Sequence, residues 1–322
     1  MIGHEYIVRF FTDALAKGNC THAYLFSGPL SVGKTTLITT LAKRMLCQAG
    51  TGDDACASCS AHAKGQHPDF SLFDPDVFID PKTEEHPETI KIDYVREMER
   101  WASLKPMMSS VKIQAIVHAD RLTVEAANAL LKLLEDPPPA MLLFLSAESS
   151  ARLPATLRSR MQQFRLSRVP YASIVSFLET KGVEKKQSEY YAALVHGCPG
   201  VAIRCMEDEG VEEKYARTID QWLKLLQNPM YVFKLTEHES ATMDFRSFFM
   251  TGQIIVHDLL RLQWGIAPRF RSLIPEHDRQ ELVKRYPQKR LHAMSRGVLH
   301  AMQLLRTNAS SKLIVENFFV SI

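Results

Sequence analysis

The chain has 322 residues, a net charge of +3, 46% hydrophobic and 23% charged residues, the balance of a soluble globular protein of one to three domains. A charge this near neutrality neither demands nor excludes nucleic acid, because a shallow groove can be basic on a nearly neutral chain. No apolar run reaches the roughly 18 residues of a membrane span, and "MIGHEYIVRF" lacks the charged start and apolar core of a secretion signal, so no membrane partner and a cytoplasmic location are expected.

"HEYIVRFFTDALAKG" (4–18) repeats apolar residues at helical spacing through Ile7, Phe10, Phe11 and Leu15 and stops at Gly18. "HAYLFSG" (22–28) predicts a buried strand, and "KTTLITTLAKRMLC" (34–47) the helix after it. "FSLFD" (70–74) is a second short strand, residues 78–88 read as an exposed acidic loop, and "IKIDYVREMERWASL" (90–104) is helical with Tyr94, Met98 and Trp101 on one face. "KIQAIV" (112–117), "MLLFLSA" (141–147) and "QQFRL" (162–166) are further strands. The helix 124–135 lies between the first two, with Thr123 as its N-cap and Pro137 to Pro139 ending it. Strands separated by helices of this length predict a parallel sheet covered on both faces. After residue 167 the strand signal fades. Three short helical patterns end in glycines, and the chain from about 211 is nearly all helical. The expected division is an α/β domain over 1–166 with an insertion at 47–62, a small helical unit over 167–209 and an all-α region over 210–322, which the resemblance drawn below would make a lid and a collar.

Between the first strand and its helix, Gly28-Pro-Leu-Ser-Val-Gly33-Lys34-Thr35 fits G-x-x-x-x-G-K-[ST]. The glycines let backbone N–H groups turn around phosphates, Lys34 reaches the outer phosphates, and the Thr35 hydroxyl ligates magnesium. The helix N-terminus adds a fixed positive end. Gly28, Gly33, Lys34, Thr35 and Thr36 are therefore the candidate nucleotide-binding residues, with ATP and Mg2+ as the ligand. A hydrolase also needs an acid at the end of a second strand. There Val117 and His118 stand where an Asp-Glu pair would serve, and neither suits a hard cation. Asp120 lies beyond, pointing where the next helix begins; it reads as part of that loop, with a rescued magnesium ligand as the alternative.

Cys47-x8-Cys56-x2-Cys59-x2-His62 offers three thiolates and an imidazole, the ligand set of a closed structural zinc site. A variant uses His67 in place of His62; the shorter spacing favours His62. Three reduced cysteines in a loop are the bland alternative. Arg158 and Arg160 stand between a short helix and the last strand, where an arginine can reach a neighbouring subunit's nucleotide, or simply pair on the surface.

"HAYLFSGPLSVGKTT", the cysteine segment followed by "HPDF", "AANALLKLLEDPP", "LPATLRSRMQQF" and the closing "LRTNASSKLIVENF" occur in that order. Together they resemble the AAA+ clamp-loader subunits of bacterial DNA polymerase III, in particular the delta-prime type, over essentially the whole chain. The resemblance implies a stationary ring subunit. It would work in a hetero-pentamer with gamma/tau and delta-like subunits that loads the sliding clamp onto primed DNA. It also implies that Arg160, within Ser-Arg-Met where the family has Ser-Arg-Cys, acts in trans as an arginine finger, and that the chain does not hydrolyse ATP. Glu148 at the place of a polar sensor, and Gly200 and Val201 where active members present an arginine, point the same way. Two other readings remain: an ATP-hydrolysing gamma/tau-type motor subunit, and an unrelated P-loop ATPase. Basic groups at "PRFR" (268–271) and "VKRYPQKR" (283–290) read as solvated helix faces.

Overall fold

The computed structural model describes residues 2–52, 56–81, 83–239, 243–266, 274–305, 307 and 309–321, apart from the side chain of Glu209. The basic stretch 268–271 lies outside them. The chain forms two compact units, Met1–Ile174 with Gly197–Gly200, and Val175–His196 with Val201–Ile322.

The first unit is built on five parallel strands, β1 (Ala23–Ser27), β2 (Phe70–Phe73), β3 (Lys112–Ile116), β4 (Met141–Ala147) and β5 (Gln162–Arg165), in the order β2-β3-β4-β1-β5. β1, β3 and β4 are buried along their whole length, as near-continuous apolar strands between two helical layers must be. Side chains alternate across β1. Tyr24 and Phe26 meet α1 (Glu5–Ala16) and α2 (Lys34–Leu46) through Ile7, Phe11, Leu37 and Leu41. Ala23 and Leu25 share the opposite core with Val95 and Met98 of α4 (Ile92–Ala102) and Leu130 and Leu134 of α5 (Val124–Glu135). The Thr123 hydroxyl caps α5 by accepting from the Ala126 N–H at 3.2 Å, as its sequence predicts. α3 (Ala57–Ala63) lies inside the cysteine segment, and α6 (Ala155–Arg158) precedes β5.

The remaining helices are α7 (Tyr171–Thr180), α8 (Lys185–Leu194), α9 (Pro199–Glu207), α10 (Glu209–Gln227), α11 (Tyr231–Glu239), α12 (Phe245–Gln263), α13 (Glu276–Arg285), α14 (Gln288–Leu304) and α15 (Ser311–Val320). In the second unit the Trp222 ring stacks on Phe248 at 5.1 Å between centroids and meets Phe319 at 5.0 Å; its indole N–H donates to the Phe248 carbonyl. α11 and α13 have no separate signal in the sequence. α11 is only nine residues long, with a short buried face of Val232, Leu235 and Thr236, and α13 buries only Leu282 among polar neighbours.

Candidate nucleotide and metal sites

The phosphate cradle forms where β1 stops. The Gly28 N–H closes the strand on the Ala147 carbonyl at 3.1 Å, and Gly33, at φ 103° and ψ 22°, turns the chain into α2. That left-handed turn suits glycine and sets the uncapped N-terminus of α2 at the loop. Lys34 is buried, and its ammonium donates to the carbonyls of Gly28 and Pro29 at 2.7 and 2.8 Å. The loop therefore folds around its own lysine. Thr35 and Thr36 occupy the first turn of α2. Gly200 donates its N–H to the Ser31 carbonyl of the loop at 2.9 Å.

The strand end opposite the loop carries no acid in the useful place. Val117 is buried and extends the β2–β3 ladder, with its N–H on the Phe73 carbonyl at 2.8 Å. His118 adopts a left-handed conformation at φ 55° and puts Nε2 3.1 Å from Asp76 Oδ2; Asp76 also pairs with Arg121 at 2.6 Å. Asp120 differs from its expected direction. Thr123, not Asp120, serves the start of α5. The Asp120 carboxylate instead turns back to the end of β4, accepting from Arg152 at 3.0 Å and from the Glu148 N–H at 3.3 Å. Arg152 also reaches Glu148 at 3.3 Å. A guanidinium thus sits between two carboxylates beyond the ends of β3 and β4. Arg152 and Asp76 carry no motif and were invisible in the sequence.

The sulfurs of Cys47, Cys56 and Cys59 lie within 4.8 Å of one another, near the ~3.8 Å that two ligands of one tetrahedral zinc would keep. The Cys59 N–H donates to Cys56 Sγ at 3.4 Å, the start of a thiolate-wrapping turn. The structure does not bring His62 into this group. Its ring stacks on Phe70 with centroids 5.1 Å apart, and burial, with Lys43 and His67 nearby, lowers its pKa and keeps it neutral. Its Nε2 is buried without a hydrogen-bond partner, the mark of an imidazole able to ligate. His67, the alternative, lies outside the cysteine group as well. Its Nε2 meets Ser58 Oγ at 2.8 Å and its Nδ1 accepts from the Asp69 N–H at 3.1 Å, so both nitrogens are committed. The three sulfurs suit zinc, which they would hold as a structural crosslink.

Arg160 follows α6 on the edge of the sheet, 38% exposed in its side chain, and pairs with Glu135 at the end of α5 at 2.7 Å. It also donates to the Thr156 carbonyl at 2.9 Å.

The strand order and the loop after β1 define the class: the first unit is an AAA+ P-loop module, followed by a helical C-terminal region. In fold the chain matches a DNA polymerase III gamma subunit-related protein from Thermotoga maritima, with a TM-score of 0.51 at 16% identity over 96% of this chain and 97% of the other. A family profile described as "DNA polymerase III, delta subunit" matches residues 3–170, and the chain belongs to that family. Among relatives, DNA polymerase III subunit delta' of Pseudomonas aeruginosa is 31% identical over 221 residues, 67% of this chain and 65% of that protein. DNA polymerase III subunit tau of Bacillus subtilis is 31% identical over 175 residues, 54% of this chain and 30% of that one. The chain thus spans under two thirds of the length of these relatives. Among the described residues, no helix is long and apolar enough to cross a membrane.

Proposed function

We propose that the chain is a delta-prime-type stator of a bacterial clamp loader. In this reading it joins gamma/tau and delta-like subunits in a hetero-pentamer that places a sliding clamp on primed DNA. Residues 1–166 act as the ATPase-type domain, 167–209 as a lid and 210–322 as the collar of the ring. The chain holds ATP with Mg2+ on Gly28, Gly33, Lys34, Thr35 and Thr36 without turning it over. It stabilises its cysteine segment with zinc on Cys47, Cys56, Cys59 and His62, and offers Arg160 to the nucleotide of a neighbouring motor subunit, where a guanidinium neutralises transition-state charge.

The observation that carries this reading is the occupied strand end: a buried Val117, a His118 turned to Asp76, and an Asp120 already bound to Arg152. The Asp120 carboxylate is paired with Arg152, and Asp76 with His118 and Arg121, which speaks against a motor's magnesium site at this strand end. A second reading, the gamma/tau-type motor, has in its favour the match to a tau subunit at the same 31% identity.

Nucleotide binding and steady-state hydrolysis by the purified chain with magnesium, beside Lys34→Ala, separate the two. Binding lost in the variant, with no turnover above background, is the expected outcome. Turnover by the purified chain that Lys34→Ala abolishes would sink the stator reading.

A further inference from the structure

Arg160 is not a loose surface side chain. Its Nη2 meets Glu135 Oε1 at 2.7 Å, and its Nη1 donates to the Thr156 carbonyl at 2.9 Å and to Ser159 Oγ at 3.4 Å. All these acceptors stand within one corner of the fold, the end of α5 and the single turn of α6. A guanidinium held on two of its nitrogens has its plane fixed, and part of its donor set is left for an incoming anion. The side chain keeps 38% exposure, so that remainder faces solvent.

Glu135 is in an unfavourable place for its own helix. It is the last residue of α5, and Asp136 follows as the C-cap, so two carboxylates stand at the negative end of the helix dipole. The helix dipole disfavours a glutamate there, good helix former though it is. A cation offsets that: Arg160 lies against that end and neutralises it. Glu135 is 56% exposed and buries no apolar surface of consequence, so a packing role does not explain it.

We propose that Glu135 is the positioning residue for Arg160. Its carboxylate, with the Thr156 carbonyl, orients the guanidinium in advance, so that less freedom is lost when a neighbouring subunit's triphosphate arrives. The inference rests on the reading of Arg160 as a trans-acting finger. It adds that the finger is aimed by α5 and does not find its partner by random motion. Misplacement of a charge-stabilising group costs turnover more than it costs substrate affinity.

The test uses the loader reconstituted from the full chain and its ATP-hydrolysing subunits, reading kcat and KM for ATP and assembly by gel filtration. Glu135→Gln is expected to lower kcat about 5-fold with KM and assembly unchanged, and Glu135→Asp, which keeps the charge, to retain most turnover. Arg160→Ala is expected to lose more, and the double variant Glu135→Gln/Arg160→Ala to match Arg160→Ala alone, because Glu135 acts only through the arginine. Full turnover by Arg160→Ala overturns the finger and this inference together. A defective Arg160→Ala beside a Glu135→Gln that works normally overturns the positioning role alone. A faster Glu135→Gln, or a further loss in the double variant, overturns it as well.

Discussion

Asp69 has no solvent exposure and yet is held as an anion. Burial pushes its pKa up, but the N–H groups of Met107, Met108 and Ser109, at 2.7 to 2.8 Å, outweigh that and hold it below the ordinary carboxylate range. Since the folded value is lowered, the stabilisation is complete above the unfolded value of ~3.9 and is lost as pH falls through the folded one. Asp69→Asn would turn an NH2 toward N–H donors. It is expected to destabilise the first unit by about 2–4 kcal/mol at pH 7 in urea unfolding, with the deficit shrinking below about pH 4. The same corner contains His67, both of whose ring nitrogens have hydrogen-bond partners. Spacing alone left His62 and His67 both open, because it says nothing about which imidazole has already spent its nitrogens.

At the scale of elements, the cysteine segment reads well from sequence in its sulfurs and poorly in its imidazole. Cys56 and Cys59 are three apart at the start of α3, so local geometry brings them together; His62 is on the same helix but leans on Phe70, a residue of β2. One zinc per purified chain is expected by elemental analysis. Cys59→Ser should abolish it, and His62→Ala should weaken retention against a chelator by about 10-fold or more. In the second unit, α12 is shaped by a contact no motif announces. A Cβ on Gly252 would lie 1.9 Å from Trp222 Cζ2, so the indole packs directly on the helix backbone. Gly252→Ala removes a helix-weakening glycine but overpacks the core. The steric term wins, and a loss of about 2 kcal/mol or more is expected in thermal unfolding of that unit.

For the whole molecule, the strands, the flanking helices and the phosphate loop were legible because each is written in local periodicity or fixed spacing. The helix 124–135 and the strand 141–147 have the limits their sequence predicts. α11 and α13 were not legible, since their few buried residues make sense only against neighbouring helices. The sequence by itself determined the class of the first unit, the absence of acids at Val117 and His118, and the candidate ligands among the cysteines. Only the tertiary structure decided the pairings: Asp120 with Arg152, His118 with Asp76, Arg160 with Glu135. The physical reason is that a parallel sheet in the order β2-β3-β4-β1-β5 gathers segments far apart in the chain along its two lines of strand ends, Asp76, His118, Asp120 and Arg152 beyond the C-terminal ends of β2, β3 and β4, and Glu135 and Arg160 at the opposite edge, before β4 and β5 begin. Which charges meet along those lines depends on strand order and side-chain direction, and neither is encoded in the spacing of any one segment.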